Sequence, residues 1–279
     1  MASSGKPAPA TAEPARIPGC TLAALSLRIP ATKRVVAIGD LHGDLAAMRA
    51  AFRAAGAVDD RDRWIARDLT IVQTGDILDR GDEEQAMEDL LAAWELQAPE
   101  FGSKLVLLDG NHELMNAAGD YRYVTRGQDF GAGRQAALAP GGSYAKKLAA
   151  HAVVAIVGDT VYSHAGVLGA WATKLDEANL AVRCWLDGSG PREALEADDS
   201  PVWTRAYGID PPDCAGAEAA LVALGVKRMV VAHTVQAQGI NAACDGKLWR
   251  IDVGMTKVFG GPIQVLEVSE TPRVITGAR

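Results

Sequence analysis

Residues 71–81 read IVQTGDILDRG, an apolar run that ends in two aspartates and an arginine. A short run rich in Val and Ile is typical of a buried strand. Charged side chains at the end of such a strand must be solvated, paired or bound to a ligand. The stretch therefore predicts a strand that delivers Asp76, Asp79 and Arg80 to a polar site.

Further apolar runs of similar composition, each bounded by Gly, Asp or Asn, also predict strands; they lie at 35–40, 104–111, 153–166, 228–234, 248–254 and 262–268. Helical patterns separate the early runs, at 45–58 and 83–97. Strands that alternate with helices predict an α/β fold with buried sheets. Because the later runs follow one another more directly, we expect a second, more antiparallel sheet.

Histidines collect at the ends of these runs. Four of the five lie at or just after a run's end, and three further polar residues accompany them: His42, His112, His164 and His233, with Asp40, Asp76 and Asn111. Ligands of α/β proteins generally bind at the carboxyl ends of the strands. We therefore expect these side chains to form one site.

The donor types indicate metal ions. Carboxylate, amide and imidazole donors without thiolate favour Mn²⁺, Fe or Zn²⁺ over softer metals. Asp40 and His42, two positions apart, point the same way if the chain is extended, whereas the adjacent Asn111 and His112 should point in opposite directions. One of the latter pair would bind metal while the other transfers a proton. Seven such residues exceed the needs of one ion, so we infer two ions with Asp76 between them.

Composition excludes several classes of function. The net charge of −7 and the pI near 5.3 provide no basic field for nucleic acid or for anionic lipid. No run approaches the ~18 apolar residues of a membrane span. With 279 residues, 48% of them hydrophobic, the chain has ample material for a globular core.

The start of the chain has a different composition. Its first twenty residues contain five alanines, four prolines and no aromatic residue. This predicts a disordered leader over 1–32 and one domain over 33–279. The leader lacks the apolar stretch of a signal peptide, but a trimmed leader would also lack it. Cytoplasm and periplasm both stay open.

Two segments rich in small or charged residues, 127–142 and 187–200, are expected to be surface segments at the edge of the site. The four cysteines (Cys20, Cys184, Cys214 and Cys244) form no CxxC motif. Free thiols, acting as small hydrophobic residues in a reducing compartment, are favoured over disulfides. A Cys214–Cys244 pair is the alternative if the protein is exported.

Four blocks in a fixed order resemble the signature of the phosphoprotein phosphatase family of metallophosphoesterases: GDLHG (39–43), GDILDRG (75–81), GNHE (110–113) and HAG (164–166). Longer blocks are similar to the Shewanella-like phosphatases: GDILDRGDEE, GNHELMNAAGDYRYV, SPVWTRAY, HTVQAQGIN and WRIDVGM. The resemblance spans about residues 33–268. It implies the metallophosphoesterase fold, a central β-sandwich of mixed sheets flanked by helices, with the metal site at the carboxyl ends of the strands.

The resemblance also implies roles for individual residues. Asp40, His42 and Asp76 would hold one divalent ion; Asp76, Asn111, His164 and His233 would hold the second. Mn²⁺ is the expected metal, with Fe or Zn as alternatives. His112 would be the general acid, with Asp79 as its orienting partner. Arg80 and Arg205 would grip the phosphate, and Asp252 would support the metal ligands.

These roles fit the chemistry of phosphate monoester hydrolysis. Two ions about 3.5–4 Å apart lower the pKa of a bridging water and clamp the oxygens of an in-line displacement. Two arginines suit the phosphoryl oxygens. The leaving group needs a proton, which His112 can supply. We therefore expect a monomeric protein phosphatase whose substrate is a phosphorylated protein or peptide.

Alternatives remain open within this interpretation. A calcineurin-like hydrolase of dinucleoside polyphosphates or phosphodiesters would share the metal site. A pseudoenzyme that binds phosphoprotein would have lost His112, Asp79 or a metal ligand, and none is missing. The preference between phosphotyrosine and phosphoserine or phosphothreonine is also open. The short segment 118–151 favours a weakly capped site that admits the aryl ester of phosphotyrosine.

Overall fold

The computed structural model describes residues 15–126, 130, 133–193 and 195–279. Their strands are, in chain order, β1 Arg28–Ile29, β2 Arg34–Ile38, β3 Leu69–Gln73, β4 Lys104–Leu107, β5 Val154–Val157, β6 Thr160–Ser163, β7 Arg228–Val231, β8 Asn241–Ala243, β9 Leu248–Arg250, β10 Gln264–Val268 and β11 Arg273–Thr276. Their helices are α1 Leu45–Ala54, α2 Glu84–Gln97, α3 Asn111–Ala117, α4 Arg134–Leu138, α5 Ala145–Leu148, α6 Leu175–Asp187 and α7 Cys214–Leu224. Two 3₁₀ segments lie at Ala98–Phe101 and Cys244–Gly246.

Two mixed sheets pack face to face. The first has the order β11-β10-β2-β3-β4 and the second the order β1-β5-β6-β7-β9-β8. In the first sheet β2, β3 and β4 are parallel, and β10 joins β2 antiparallel. This arrangement confirms the predicted α/β sandwich.

The alternation of side chains along β2 shows how the layers form. Val35 and Ala37 pack between the sheets, whereas Val36 and Ile38 pack on the opposite face, against α1 and α2. Successive strand residues point to opposite faces, so an entirely apolar strand is buried on both sides. The other face of the second sheet is covered by α6, α7 and the region around α5. The order of layers is helix, sheet, sheet, helix.

Two expectations about the later strands are wrong. The run 153–166 is a hairpin, in which β5 and β6 pair antiparallel through a turn at Gly158–Asp159. The second sheet is not mainly antiparallel, since β1-β5, β6-β7 and β7-β9 are parallel pairs. The long connection from β6 through α6 and α7 to β7 is the crossover that a parallel pair requires.

The predicted disordered leader over 1–32 extends too far, because its last residues are part of the fold. Strand β1 pairs parallel with β5, and Leu22 and Leu27 pack against the core on the helical side of the second sheet. A partner more than a hundred residues away in sequence orders this segment, so its local composition was misleading. Residues 1–14 of the expected leader lie outside the described residues.

The cysteines are not free. Cys20 pairs with Cys184 of α6, with Cα atoms 5.5 Å apart, and Cys214 pairs with Cys244 at 5.2 Å. The interpretation as reduced thiols is therefore wrong for all four. The first pair is separated by 164 residues, and only the tertiary fold brings its members together.

The two surface segments are partly structured. Helix α4 lies inside 127–142, and its Arg134 and Leu138 are buried; residues 127–129, 131 and 132 lie outside the described residues. In 187–200, Arg192 and Glu196 border a cavity beside Asn111. Among the helices that the structure describes, none combines the length and the apolar composition needed to cross a bilayer.

Candidate metal and phosphate site

The loops that follow six strands meet at one edge of the sandwich. They carry every residue of the predicted metal set, together with Asp252: Asp40 and His42 after β2, Asp76 after β3, Asn111 after β4, His164 after β6, His233 after β7 and Asp252 after β9. The parallel direction of these strands brings their carboxyl ends to the same edge. All but the half-buried His233 are buried.

Glycines allow the loops after β3 and β4 to touch. Gly75 has a φ of +94°, which favours glycine, and a Cβ there would overlap the backbone of Gly110. A Cβ on Gly110 would in turn overlap Oδ1 of Asp76. The glycines of the GD and GN motifs therefore set the distance between these two loops.

Asp76 is at the centre of the donor cluster. Its Oδ2 lies 3.3 Å from Nε2 of His164 and 3.6 Å from Nε2 of His42. Two groups of donors with mutual spacings within 4.8 Å contain it: Asp76 with His42 and His112, and Asp76 with His164 and His233. One carboxylate shared by two donor groups is the arrangement that a pair of ions needs.

The histidine rings are oriented by backbone carbonyls. Nδ1 of His42 donates to the carbonyl of Leu78 at 3.0 Å, and Nδ1 of His164 donates to that of Thr74 at 3.0 Å. This leaves the lone pair on each Nε2 directed at Asp76. Metal-binding histidines are commonly held in this way.

These lone pairs face other acceptors. Nε2 of His164 lies 2.9 Å from Oδ1 of Asn111 and 3.1 Å from Nδ1 of His233. Nε2 of His233 is buried and has no hydrogen-bond partner among the described residues. Acceptors packed this closely require a cation or a proton between them, so the residues present fit divalent ions.

The electrostatics support the same conclusion. Burial lowers the pKa of His42 to about 4, and burial together with His164 lowers that of His233 to about 3, so both imidazoles are neutral bases at pH 7. Burial and the neighbouring carboxylates of Asp252 and Asp76 raise the pKa of Asp40 well above its usual range. Burial raises the pKa of Asp252 to about 6. Carboxylates crowded in this way favour a bound cation.

Two geometric expectations are corrected. The chain from Asp40 to His42 is not extended, since His42 has a φ of +38°; the amides of Leu41 and His42 instead donate to the carbonyl of Asp76. Asn111 and His112 do not point in opposite directions, because they begin α3 and successive helical residues are about 100° apart. Both therefore border the same cavity.

His112 forms a buried pair with Asp79. Its Nδ1 lies 2.5 Å from Oδ2 of Asp79, and its Nε2 lies 3.8 Å from Oδ2 of Asp76. Burial alone would lower the pKa of His112, but the carboxylates of Asp76 and Asp79 raise it above the ordinary value. The ring can therefore carry a proton at the mouth of the cavity.

The two arginines border this cavity of about 190 Å³. The guanidinium of Arg80 lies 4.6 Å from the ring centre of Tyr123 and 5.3 Å from that of Phe259. Its Nε is buried without a hydrogen-bond partner among the described residues. Arg205 is exposed and donates to Oγ1 of Thr234 at 3.1 Å. Their fork-shaped donors suit an oxyanion such as phosphate.

Sequence reasoning missed the residue that fixes the loop after β3. The carboxylate of Glu113 accepts from the amides of Asp76, Ile77, Leu78 and Gly110, at 2.7 to 3.0 Å. Glu84, Asn116 and Arg134, which surround Asp79, were also missed, because no local pattern relates them.

Comparisons with known proteins agree with this geometry. Residues 33–237 match the model of the family described as calcineurin-like phosphoesterase. Shewanella-like protein phosphatase 2 of Arabidopsis thaliana is 36% identical over 301 residues, which cover 88% of this chain and 77% of that protein.

Two solved structures share the fold. A cold-active protein-tyrosine phosphatase of a psychrophilic Shewanella species superposes with a TM-score of 0.77 at 24% identity, covering 91% of this chain and 83% of that one. A protein serine/threonine phosphatase from Saccharomyces cerevisiae superposes with a TM-score of 0.62 at 15% identity, covering 91% and 84%.

Proposed function

The chain belongs to the calcineurin-like phosphoesterases, in the group of the Shewanella-like protein phosphatases, and we propose that it is a metal-dependent phosphatase of phosphorylated proteins or peptides. The observation that carries the proposal is the convergence on one cavity of a buried donor cluster, the His112–Asp79 pair and two arginines. The match to the family model and the Arabidopsis relative confirm the predicted family. The roles of the individual residues are proposals.

The proposed metal site divides around Asp76. Asp40, His42 and Asp76 would hold one ion, and Asp76, Asn111, His164 and His233 would hold the other. Two divalent ions there would supply the Lewis acidity that activates a water and neutralises charge on the phosphoryl oxygens. We propose Mn²⁺, with Fe or Zn²⁺ as alternatives, because the donors are oxygen and imidazole nitrogen.

The protein's own groups complete the reaction. Arg80 and Arg205 bind the phosphoryl oxygens and orient the phosphorus toward the donor cluster. The bond from phosphorus to the ester oxygen breaks as water oxygen bonds to phosphorus. Nε2 of His112 gives its proton to the departing oxygen, and a proton from the water restores it. Asp79 keeps the imidazole in the required orientation.

The surroundings of the cavity favour an aromatic substrate. Tyr123 and Phe259 are 39% and 42% exposed beside the phosphate-binding arginine, and Trp203 borders the same cavity. An adjoining cavity of about 340 Å³ next to the metal site is lined by both apolar and charged side chains, among them Leu114, Met115 and Trp203 with Asp120, Arg122, Arg192 and Glu196. We propose that an aromatic rim, formed by Tyr123, Phe259 and Trp203, packs against the phenyl ring of phosphotyrosine.

Paired substrates test the proposal. The chelated protein, reloaded with Mn²⁺, Zn²⁺ or Mg²⁺, is assayed on matched phosphotyrosine and phosphoserine or phosphothreonine peptides and on a dinucleoside polyphosphate. A higher kcat/KM on the phosphotyrosine peptide is expected. A preference for the other peptides would refute the aromatic rim, and cleavage of the nucleotide alone would favour the alternative hydrolase. Two bound ions without any cleavage would indicate a binding protein. Light scattering tests the proposed monomer.

A further inference from the structure

The oxygen of Asp79 that does not face His112 is held by two other side chains. Oδ1 of Asp79 accepts from Nδ2 of Asn116 at 3.0 Å and from Nη2 of Arg134 at 3.1 Å. Asp79 itself is fully buried. Its two oxygens thus have separate partners, with Oδ2 on the histidine and Oδ1 on the amide and the guanidinium.

Arg134 is itself fixed on three sides. Nη1 and Nη2 bind the two oxygens of Glu84, at 2.5 and 2.9 Å, and Nε donates to Oδ1 of Asn116 at 2.7 Å. Glu84 also accepts from the backbone amide of Asp79. A guanidinium has a rigid planar fork, so this set of partners defines its position as well as its charge.

The four residues come from separate parts of the chain. Glu84 begins α2, Asn116 lies in α3 and Arg134 begins α4, and they meet around the loop that follows β3. Arg134 belongs to the segment 127–142, which was expected to lie at the surface beside the site. Its exposure is 8%, and that of Glu84 and Asn116 is 0%. The cluster therefore lies on the protein side of Asp79, away from the cavity.

Fold stability alone is a poor explanation for this cluster. Burial of a guanidinium and two carboxylates carries a desolvation penalty that their mutual attraction often fails to exceed, and apolar side chains of similar volume commonly stabilise a core as well or better. A satisfied buried polar network does, however, fix the geometry of its members. The group whose geometry matters here is Asp79.

We propose that Arg134 is a positioning residue, which acts with Asn116 and Glu84 to lock Asp79 so that Oδ2 holds Nδ1–H of His112 and Nε2 faces the leaving oxygen. This inference rests on the proposed function. It gives helix α4 a part in the reaction. Without Arg134, Asp79 can rotate its carboxylate and the imidazole loses its orientation, while the metal donors and the phosphate-binding arginines keep theirs.

The first test compares leaving groups in the Arg134→Met variant of the full, metal-loaded chain. On a phosphoserine peptide, whose alkoxide leaving group needs a proton, kcat falls about 10-fold or more. This loss is smaller than the ~10²–10⁴-fold that general acid catalysis supplies in full, because His112 itself is still present. On p-nitrophenyl phosphate, whose leaving group does not need one, kcat changes by about twofold or less, and KM and metal content stay unchanged. Equal losses on both substrates, or none on either, would overturn the proposal.

Two controls separate positioning from folding. Arg183→Met removes another buried arginine, whose guanidinium binds the carbonyls of Ala149 and Ala23; it lowers Tm without a difference between the leaving groups. Arg134→Lys keeps the charge but replaces the planar fork of donors with a single ammonium group, so it gives the same difference between leaving groups at smaller size. If Arg134→Met does not fold, the comparison of leaving groups is made with Arg134→Lys instead.

An NMR measurement that does not depend on catalytic activity distinguishes failure of this inference from failure of the proposed function. In the Zn²⁺-loaded wild-type chain, NMR detects the ring Nδ1–H of His112 as a slowly exchanging, downfield proton. Arg134→Met broadens that signal through exchange with water, whereas Arg183→Met leaves it sharp. A signal unchanged in Arg134→Met would overturn the positioning role. Wild-type protein that cleaves neither substrate but shows this NMR pattern would refute the function and keep the positioning.

Discussion

Asp76 is the residue that the two donor groups share. Its carboxylate faces His42, His112 and His164, its amide is held by Glu113, and its carbonyl anchors the loop after β2. Burial alone would raise the pKa of this carboxyl, but the neighbouring His164 and His112 hold that pKa well below the usual range, so the group is charged before an ion binds. A single residue thus joins both proposed metal positions.

Substitution of this residue is the first prediction. Asp76→Asn keeps the volume but removes the shared charge, so metal content should fall from two ions per chain to fewer than one. Activity should fall by more than the roughly 10–100-fold that loss of an outer hydrogen-bond partner of a metal ligand costs. Elemental analysis and kcat measure both effects. Asp44→Asn, a buried aspartate that caps α1, is the matched control and should keep two ions; a fully loaded Asp76→Asn variant would contradict the assignment.

Arg80 allows a prediction about phosphate. Arg80→Ala removes hydrogen bonds from a charged donor, each of which is worth about 1.5–3 kcal/mol, so kcat/KM should fall about 10- to 100-fold. Inhibition by inorganic phosphate should weaken in parallel. Arg63→Ala, at an exposed arginine paired with Asp59, is the control and should change neither. Unchanged kinetics in Arg80→Ala would remove this residue from the site.

At the scale of elements, the sequence predicted the strands that precede candidate site residues better than the other strands. The runs that became β2, β3, β4, β7, β9 and β10 were assigned correctly, because buried strands of a sandwich are short, apolar and followed by turn residues. Strands β1, β8 and β11 were missed, since they are short and depend on partners elsewhere. The hairpin of β5 and β6 was read as a single strand because its turn is only two residues long.

The sequence predicted which side chains meet at the edge of the sandwich, while their roles stay predictions, and it missed the residues that support them. Donors such as His42 and His164 stand directly after strands, where position alone reveals them. Glu113 and Arg134 act across loops, and no spacing in the sequence relates Arg134 to Asp79. The prediction of free cysteines was wrong for the same reason, because Cys20 and Cys184 meet only in the folded chain.

The second disulfide gives a prediction at this scale. Cys214 and Cys244 connect the start of α7 to the 3₁₀ segment before β9 across 30 residues. Loop closure of this length is worth about 3–4 kcal/mol in the unfolded chain. Cys214→Ser combined with Cys244→Ser should lower the free energy of unfolding by that amount and leave kcat within about twofold, since the pair contacts no proposed site residue. Mass spectrometry that finds two free thiols in the native wild-type protein would contradict the pairing.

At the scale of the whole molecule, the protein has a second buried charged cluster outside the site. Nδ1 of His151 lies 3.1 Å from Oδ1 of Asp109, just before the GNHE loop. Burial would lower the pKa of His151, but Asp109 and the nearby Glu95 and Glu88 raise it to about 9. Burial raises the pKa of Glu88 to about 8.

Stability should therefore fall toward alkaline pH. A histidine whose pKa rises from 6.5 to about 9 on folding stabilises the native state fully below pH 6.5, and this contribution, about 3 kcal/mol, is lost as the pH passes from 6.5 through 9. Glu88 contributes a loss of the same sign between pH 4.5 and 8. Urea unfolding of the metal-free protein from pH 6 to 9 measures the slope, and His151→Gln should flatten it. Parallel curves for both proteins would contradict the ion pair.

The most direct test of the central claim is a titration of the chelated protein with Mn²⁺, in which bound ions and hydrolysis of a phosphotyrosine peptide are measured together. We expect no hydrolysis without metal and a rate that reaches its plateau at two ions per chain. A rate that survives chelation, or a plateau at one ion, would contradict a phosphatase built on two metals that share Asp76.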